Sequence, residues 1–373
     1  MAFQNKINSC FPLNVPSVGS SYQPNQQVEF RPNCENKRIK AGSWSLNGSA
    51  KLLNREEGND VYFSPSAGLH GMISSIITTT FGSVRENILN YGRLCAQEFF
   101  YETSETRQGE LNLAMQGIFP NNNTVLANAF AVGNNANYIN FSLPLNFCLN
   151  KVYNMSGEAA DCPFSKLASG QDQLGITIRI SPLSQMLFGA DADTIEIELT
   201  NLLLTWDEEP DDGKNEKLMM EIVNNTRNTA NSNYFSISTF LSMPSTSVSI
   251  SFIPLAYEND QLYDYYEIST LPQNNGQGTQ SLELLLDDQA SIIKYKLNTS
   301  QQERIYSNML MLNKSTTSLT KSDWYQSELG EMYSIAFPVL LAGHKLSIIV
   351  YNPYLVSNNG YACYAFFKGY ADL

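Results

Sequence analysis

The strongest constraint on the fold of this chain is a two-residue alternation of apolar and polar side chains that recurs along both halves. In the first half the alternation marks Ile139–Phe147, Ile176–Ile180 and Thr194–Thr200, and in the second half Phe235–Ser238 and Ser247–Phe252. Successive side chains of a strand point to opposite faces, so each segment predicts a strand with one buried and one solvated face. The chain is therefore predicted to be all-β.

Two local features place particular strands. Pro144 lies inside an alternating segment. Because proline cannot donate a ladder hydrogen bond, its strand is predicted to lie at a sheet edge or to carry a bulge. Near the C-terminus, Asn359-Gly360 separates the apolar runs Tyr354–Val356 and Tyr361–Phe367. Both turn residues tolerate positive φ, so this step predicts a hairpin.

Only two helices are predicted, and both are short. The first covers Ser83–Leu94, where Ser83 and Glu86 have the spacing of a capping box. Its apolar face would carry, at helical spacing, Val84, Ile88, Tyr91 and Cys95. The second helix covers Glu216–Arg227 and would bury the stripe Leu218, Met219, Ile222 and Val223.

An acidic segment divides the chain into halves of similar length. Asp207–Gly213 contains Pro and Gly and has no apolar residue, which is typical of a linker or an exposed turn. Its carboxylate spacing does not match a calcium-binding loop. The predicted organisation is an N-terminal arm (1–38), a first jelly-roll β-sandwich (39–206), the acidic linker with its short helix (207–230) and a second jelly roll (231–373).

The predicted arm has two interpretations. Residues 1–38 mix Asn, Gln, Pro and Ser with isolated apolar side chains and show no period. They could form a disordered tail, or an arm that becomes ordered against a neighbouring subunit. Composition alone does not separate these alternatives.

The charge content narrows the possible partners. Charged residues make up 16% of the chain, and the net charge is −13. A net negative charge argues against nucleic-acid binding, because nucleic-acid-binding surfaces neutralise phosphates with Lys and Arg. A surface covered by neutral polar groups instead lowers the desolvation cost of close protein–protein contact.

The cysteines and the apolar runs bear on the cellular compartment. The six cysteines, at positions 10, 34, 95, 148, 162 and 363, are widely spaced and form no C-x-x-C pair. Neither a zinc site nor a disulfide framework is predicted, and free thiols in a reducing compartment are expected. Residues 1–24 lack the apolar core of a signal peptide, and no apolar run approaches the ~18 residues of a membrane span.

Residues able to perform chemistry are few and scattered. His70 and His344 are the only histidines, and neither has a nucleophile at a recognisable spacing, so both are predicted to be structural. Several carboxylates could in principle work as acid–base pairs, as in glycosidases, but are more simply read as solvated or paired with cations. These are Asp191, Asp193, Glu196, Glu198, Asp287 and Asp288. No catalytic, cofactor-binding or metal-binding residue is predicted, and no enzyme.

Several segments of the first half resemble the first jelly roll of double jelly-roll major capsid proteins. The resemblance is carried by Asp60–His70, Ile73–Ile76 and the run ending Asn90–Leu94, and further on by Ile176–Ile180, Leu187-Phe188 and Ile195–Trp206. The chain is similar in these patterns to proteins of small DNA viruses and virus-like elements of the polinton, adintovirus and virophage type. The second half resembles the family only in length and strand style.

The resemblance implies a homotrimer of double jelly rolls that forms a pseudo-hexagonal capsomer of an icosahedral virion shell. The implied partners are further copies of the chain, with penton and minor capsid proteins, and no cofactor or sequence-specific nucleic acid. Tyr-rich segments such as Tyr257–Tyr266 and Tyr351–Tyr370 suit either a subunit interface or the margin of a sandwich core. The alternatives are a penton or minor capsid protein and a carbohydrate-binding β-sandwich adhesin.

Overall fold

The computed structural model describes residues 6–16, 21–54, 56, 59–64, 66–100, 125–126, 138–170, 172–230, 232–267, 281–296, 333–353 and 360–373. Within these residues the chain forms 22 β-strands and three short α-helices, so the predicted all-β class is confirmed. The described residues divide into two compact units. The first is drawn from Met1–Cys95, Glu110–Val223 and Tyr370–Leu373, and the second from Ala96–Gly109 and Asn224–Gly369.

Two antiparallel sheets dominate the first unit. The larger contains β1 (Lys6–Cys10), β3 (Lys37–Ile39), β4 (Ser45–Leu53), β9 (Ile139–Pro144), β11 (Cys162–Pro163) and β14 (Glu196–Pro210). Its order is β11-β3-β14-β4-β9, and β1 pairs with β14. The second sheet contains β2 (Gln27–Phe30), β6 (Ile73–Thr80), β7 (Ser83–Leu89) and β12 (Gly175–Ile180), in the order β2-β12-β6-β7. A small third sheet contains β5 (Tyr62–Phe63), β8 (Val125–Leu126) and β13 (Leu187–Phe188).

Aromatic side chains lie at the centre of the first unit's core. The rings of Trp44 and Trp206 pack with centroids 4.8 Å apart, and Phe147 meets Trp44 edge-on at 6.4 Å. The inward side chains of β6 and β12, including Ile76, Ile176 and Ile178, are buried as well. Ile176 and Ile178 are apolar members of the alternating segment Ile176–Ile180, so the period of that segment corresponds to its buried face.

In the long strand β14 the alternation of buried and exposed side chains continues across an irregularity. The buried residues have odd numbers up to Leu199 and even numbers from Leu202 to Trp206. The register with β4 slips after Thr200, beside Asn201, whose φ is 54°. A bulge inserts one residue, so the inward side chains change phase while the strand continues.

The second unit also has two antiparallel sheets. One contains β15 (Leu218–Ala230), β17 (Ser245–Pro254), β20 (Tyr333–Leu341) and β22 (Tyr361–Asp372), in the order β15-β22-β17-β20. Residues of β15 up to Val223 belong to the first unit, where β10 (Val152–Asn154) pairs with Leu218–Met220. The other sheet contains β16 (Tyr234–Leu241), β18 (Ser281–Leu286), β19 (Ala290–Lys296) and β21 (His344–Tyr351), in the order β16-β21-β18-β19.

Helical segments in the described residues are short. The α-helices are α1 (Tyr91–Phe100), α2 (Leu183–Met186) and α3 (Leu255–Asn259). Single 3-10 turns occur at Gly68–Met72, Cys148–Asn150, Phe164–Lys166 and Ala192–Thr194. One hydrophobic cluster of the second unit contains buried residues of both its sheets, among them Phe235, Phe252, Ile250, Leu284 and Ile348.

The first predicted helix is wrong over most of its length. Ser83–Leu89 is the strand β7, and the helix begins only at Tyr91 and runs to Phe100. A two-residue turn at Phe81 and Gly82, with φ of 48° and 70°, folds β7 back onto β6. Positive φ at both central residues matches the right-handed twist of a hairpin, and this turn signal overrides the helical spacing.

The second predicted helix, Glu216–Arg227, is also wrong, because Leu218–Ala230 is the strand β15. Leu218, Met220 and Ile222 are buried in alternation, as a period of two requires. A short apolar run that contains both a two-residue and a helical spacing cannot be assigned from periodicity alone. Pairing with neighbouring strands decides the outcome.

The remaining boundaries differ in part from the sequence-based expectations. β1 and β2 join sheets of their own chain, so a disordered tail is wrong for these residues, while ordering of the arm against a neighbouring subunit stays a prediction. The predicted acidic turn is wrong for Asp207–Pro210, which continues β14. The edge position predicted from Pro144 is confirmed, since β9 ends its sheet. The domain limits at 38, 206 and 230 stay predictions, and the turn residue Asn359 lies outside the described residues.

Candidate assembly surfaces

The first histidine lies in a buried polar contact. His70 sits in a 3-10 turn, and its Nδ1 lies 3.3 Å from the hydroxyl of Tyr91. That hydroxyl accepts a hydrogen bond from the backbone N–H of Asn146 at 2.8 Å. The imidazole and the phenol therefore join the turn, the start of α1 and the segment after β9, which is a packing arrangement.

The second histidine lies in an exposed ion-pair group. The turn between β18 and β19 places Asp287 and Asp288 at positive φ. Asp287 accepts from His344 Nδ1 at 2.8 Å and from the backbone N–H of Lys345 at 2.9 Å, which lowers its pKa. Asp288 accepts from Lys345 Nζ at 2.6 Å and Ser347 Oγ at 2.7 Å. Asp287 thus contacts the His344 imidazole and a backbone amide of β21, and Asp288 pairs with the Lys345 ammonium group.

Two of the other carboxylates considered for catalysis contact groups that are not carboxylates. Asp191 accepts a hydrogen bond from the backbone N–H of Asp60 at 2.6 Å and so fixes a loop. Glu198 lies beside Tyr138, and the contact raises the pKa of that phenol. Among the residues that the structure describes, no group of three or more His, Cys, Asp or Glu side chains is placed to hold a metal ion. No helix in the same residues is long and apolar enough to cross a membrane.

Glu86, which was predicted to lie in a helix cap, is a buried carboxylate whose pKa is shifted by its environment. On β7 it is almost fully buried and accepts hydrogen bonds from the backbone N–H groups of Cys148 and Val223, each at 2.8 Å. Burial raises its pKa to about 7, while the two N–H donors and the charge of Lys151 act in the opposite direction. Its role is to join β7, the turn at Cys148–Asn150 and the start of β15.

Exposed apolar side chains are concentrated near the N-terminus. Ile7, Phe11, Leu13 and Val15 are 72%, 69%, 64% and 61% exposed, and we call these four residues the N-terminal apolar strip. Beyond β1 the segment follows β2, where the Leu13 backbone N–H donates to the carbonyl of Glu29 at 2.8 Å. Lys6 is the only charged residue in 6–16. Exposed apolar side chains grouped in this way are a candidate site of contact with another molecule.

A second exposed apolar group lies on β7, the terminal strand of the second sheet. Val84 and Leu89 point away from the core and are exposed, and Phe81 in the preceding turn is partly exposed. Edge strands offer backbone groups for pairing with another chain, and charged residues or prolines often prevent this. β7 has no proline, and its outward side chains include the apolar Val84 and Leu89 beside the polar Ser83 and Asn87 and the half-buried Arg85.

Aromatic residues provide the exposed apolar surface of the second unit. Tyr234 and Phe240 lie on β16, the terminal strand of its sheet, and are both exposed. Tyr234 stacks on Tyr351 of β21 with ring centroids 4.5 Å apart. A second stack joins Tyr257 and Tyr263 at 4.4 Å. These partly exposed stacks offer rigid contact area with hydroxyl groups at the margin.

The remaining tyrosines of the two Tyr-rich segments are mostly core residues. Tyr361, Tyr364, Tyr265 and Tyr266 are buried. The hydroxyls of Tyr265 and Tyr364 lie 3.2 Å apart, and Tyr364 also donates to Glu258. The core interpretation therefore applies to these four tyrosines, and a subunit interface at the exposed tyrosines stays a prediction.

Comparison with known proteins gives a match at the level of fold. No family model matches the chain, and a search of curated proteins finds no relative. The Faustovirus major capsid protein superposes with a TM-score of 0.64 at 9% identity, covering 100% of this chain and 90% of that one. PBCV-1 VP54, in the crystal structure fitted into a cryo-EM reconstruction of the virophage Sputnik, gives 0.61 at 12% identity, with coverage of 100% and 95%.

The mavirus major capsid protein gives a TM-score of 0.54 at 10% identity, covering 98% of this chain and 90% of that chain. At sequence identities this low, the structural similarity shows a shared fold and nothing further. The fold is that of the double jelly-roll capsid proteins, and the prediction of two consecutive jelly-roll sandwiches is confirmed. The correspondence extends over almost the whole of each chain, so both sandwiches take part.

Proposed function

We propose that this chain is a major capsid protein, which builds an icosahedral virion shell from trimeric, pseudo-hexagonal capsomers. The proposal is carried by the correspondence of fold over nearly the full length of the Faustovirus and mavirus major capsid proteins. A single shared sandwich would be weak support, because jelly rolls serve many functions. Two consecutive jelly rolls of matching length are a far more restricted arrangement.

The proposed role is structural and depends on burial of surface between copies. Obligate interfaces bury more than about 2,000 Å² and are apolar, like a protein core. The N-terminal apolar strip, the β7 edge and the aromatic face of β16 supply exposed apolar side chains for such contacts. The low charge content reduces the number of ions that must lose water on assembly. Penton and minor capsid proteins are the further partners proposed at the vertices of the shell.

Native mass spectrometry and electron microscopy of the purified, expressed chain test the proposal. We expect a stable species of three times 41.7 kDa, and pseudo-hexagonal particles or closed shells in the micrographs. A chain that stays monomeric at high concentration contradicts the proposal. In purified particles, a major capsid protein dominates the protein mass, whereas a penton protein is confined to the vertices. Binding to a glycan array without any assembly would favour the adhesin alternative.

A further inference from the structure

The terminal strands of the sheets differ in how their open backbone edges are protected from other chains. Natural sheets prevent unwanted pairing with short edge strands, charged residues, prolines, irregularities or covering segments. The described strands β8, β10, β11 and β13 are only two or three residues long. β9 and β20 contain Pro144 and Pro338. The edge of β2 is covered, because Leu13 and Asn14 hydrogen-bond to its backbone.

The remaining terminal strands carry charge or an irregularity, with one exception. β1 begins at Lys6. The pairing of β7 with β6 contains a register shift, and β7 includes Arg85. The pairing of β19 with β18 also shifts, and the sequence of β19 includes Lys294 and Lys296. Among the terminal strands that the structure describes, only β16 has more than five residues with no charge, no proline and no register shift in its pairing.

Hydrogen bonds at β16 show which of its backbone groups face the open edge. The Leu241 carbonyl accepts from the backbone N–H of Gly343, which directly precedes β21, at 2.8 Å. The Ser236 carbonyl instead accepts from Asn228 Nδ2 at 2.7 Å, and the Tyr234 carbonyl also accepts from a side chain outside β21. Because alternate residues of a strand direct their backbone groups to opposite sides, the even-numbered residues of β16 face the edge. A carbonyl oxygen accepts up to two hydrogen bonds, so these groups can still pair.

The exposed side chains of β16 belong to the same even-numbered residues. They are, in order, Tyr234, Ser236, Ser238 and Phe240. This order of aromatic, serine, serine and aromatic reads the same in both directions. A two-fold axis through Ile237 therefore sets Tyr234 of one copy opposite Phe240 of another, and Ser236 opposite Ser238. Such an isologous contact needs one surface that is complementary to itself, and a second copy of β16 supplies it.

We propose that β16 pairs with β16 of a second copy, antiparallel and two-fold symmetric about Ile237, so that one sheet continues through both molecules. The backbone groups that face the edge then bond to one another, as in other cases of strand addition to a sheet. Exposed aromatic side chains meet across the new strand pair. Although the chain carries a net charge of −13, no charged group of residues 234–241 has to lose water. The contact joins two monomers or two trimers alike, so the inference does not rest on the proposed role in a shell.

Cysteine trapping of the full-length protein tests the register. Ser236→Cys and Ser238→Cys are made separately in a Cys10→Ser background, which leaves only buried native cysteines. Hydrogen-bonded residues of an antiparallel pair have Cα atoms about 5.5 Å apart, which is within disulfide range. The two variants, mixed in equal amounts and oxidised with oxidised glutathione, should form a disulfide-linked dimer whose linkage peptide mapping identifies. Each variant alone should cross-link several-fold less, because identical residues are then diagonal to each other.

A charge placed on the edge tests the association itself. A lysine on an edge strand opposes pairing, so Ser236→Lys should weaken the association of copies by about tenfold or more, measured by sedimentation over a series of concentrations. Since Ser236 is exposed, the stability of the chain should not change. Ser156→Lys is the matched control, because Ser156 is an exposed serine outside β16. It should associate as the wild type does.

Two outcomes would overturn the pairing of β16. One is cross-linking of the mixture that does not exceed that of each variant alone or of Ser156→Cys in the same background. The other is association of Ser236→Lys with wild-type affinity. Native mass spectrometry separates this inference from the proposed function. Trimers without the cross-link would contradict only the pairing of β16, whereas the cross-link without trimers would support the pairing and contradict the trimeric capsomer.

Discussion

The strands β1 and β22 both belong to antiparallel sheets, yet they differ in almost every other respect. β1 adds to the edge of β14 through five register pairs, but most of its side chains are exposed. β22 lies between β15 and β17, and its residues from Tyr361 to Phe367 are all buried. β22 also has a ladder on each side, whereas the described pairing of β1 is with β14 alone, so the two strands differ both in backbone pairing and in the apolar surface removed from water.

This contrast separates the contribution of pairing from that of burial. A backbone hydrogen bond contributes only about 0.5–1.5 kcal/mol net, because the unfolded chain bonds equally well to water. Full burial of a large apolar side chain adds about 1.5–3 kcal/mol. β22 has this second contribution on both of its faces, whereas β1 lacks it. Side chains of β22 are therefore expected to control stability, and those of β1 to be available for contact with other molecules.

The largest expected effect is the loss of a side chain from β22. Phe366→Ala should lower the free energy of unfolding by about 3–5 kcal/mol, because it removes a fully buried ring and leaves a cavity. Chemical denaturation monitored by fluorescence measures the change. The matched substitution in β1 is Ile7→Ala, at an exposed position, and should change the stability by less than about 0.5 kcal/mol. Similar losses for both variants would break the comparison.

The same contrast explains which elements could be predicted from the sequence. Strands such as Ile176–Ile180 and Thr194–Thr200 bury one face completely, and burial imposes the two-residue period that the sequence displays. β1 has no such period, because it is held through its backbone and buries little. An edge strand of this kind leaves no signal in the apolar pattern. The pairing of β1 within the predicted arm therefore could not be predicted from the sequence.

The two predicted helices failed for a different reason. In Ser83–Leu89 and Leu218–Ala230 the apolar residues satisfy both a helical and a two-residue spacing, so the local pattern is ambiguous. The turn at Phe81 and Gly82 was the signal that could have resolved the first case. Glu86 gave no sign of its buried position, because its hydrogen-bond donors lie 62 and 137 residues away. The candidate assembly surfaces could not be predicted either, because the exposure of their side chains depends on how distant segments pack.

The strand β7 extends the comparison, because it is a terminal strand like β1 but holds a buried side chain, Glu86, that is hydrogen-bonded to other elements. The fold raises the pKa of Glu86 from 4.5 to about 7, so it favours the protonated form. Stability from this group is therefore fully present below pH 4.5 and is lost as the pH rises through 7. The loss amounts to about 3 kcal/mol at most. Thermal unfolding between pH 4.5 and 8.5 should show this decline in the wild type.

The substitution Glu86→Gln removes the titratable carboxyl group and so tests whether Glu86 causes the pH dependence of stability. The amide keeps one acceptor oxygen but cannot accept the second backbone N–H, which costs about 1–3 kcal/mol. The variant should therefore be less stable than the wild type near pH 5, with a gap that closes by pH 8. Glu56→Gln, at an exposed position, is the control and should keep the wild-type pH profile. If the Glu86→Gln profile runs parallel to that of the wild type, another group is responsible.

Substitutions in the N-terminal apolar strip are expected to have the smallest effect on stability and a large effect on assembly. In the double variant Ile7→Asn with Phe11→Asn, both substituted side chains belong to the N-terminal apolar strip and are exposed. Unfolding should shift by less than about 0.5 kcal/mol per site. If a second copy covers the strip, each lost side chain removes about 1.5–3 kcal/mol of burial, which corresponds to about tenfold or more in affinity. Light scattering of assembling protein measures the difference.

Met155→Asn is the matched control, because Met155 is an equally exposed apolar residue outside the strip. It should assemble as the wild type does, while the double variant remains folded and assembles poorly. Equal assembly by both variants would mean that the strip stays exposed in the particle. The contrast between β1 and β22 would then still hold for stability, but contact between copies would have to come from other surfaces, of which the β7 edge and the aromatic face of β16 are the next to test.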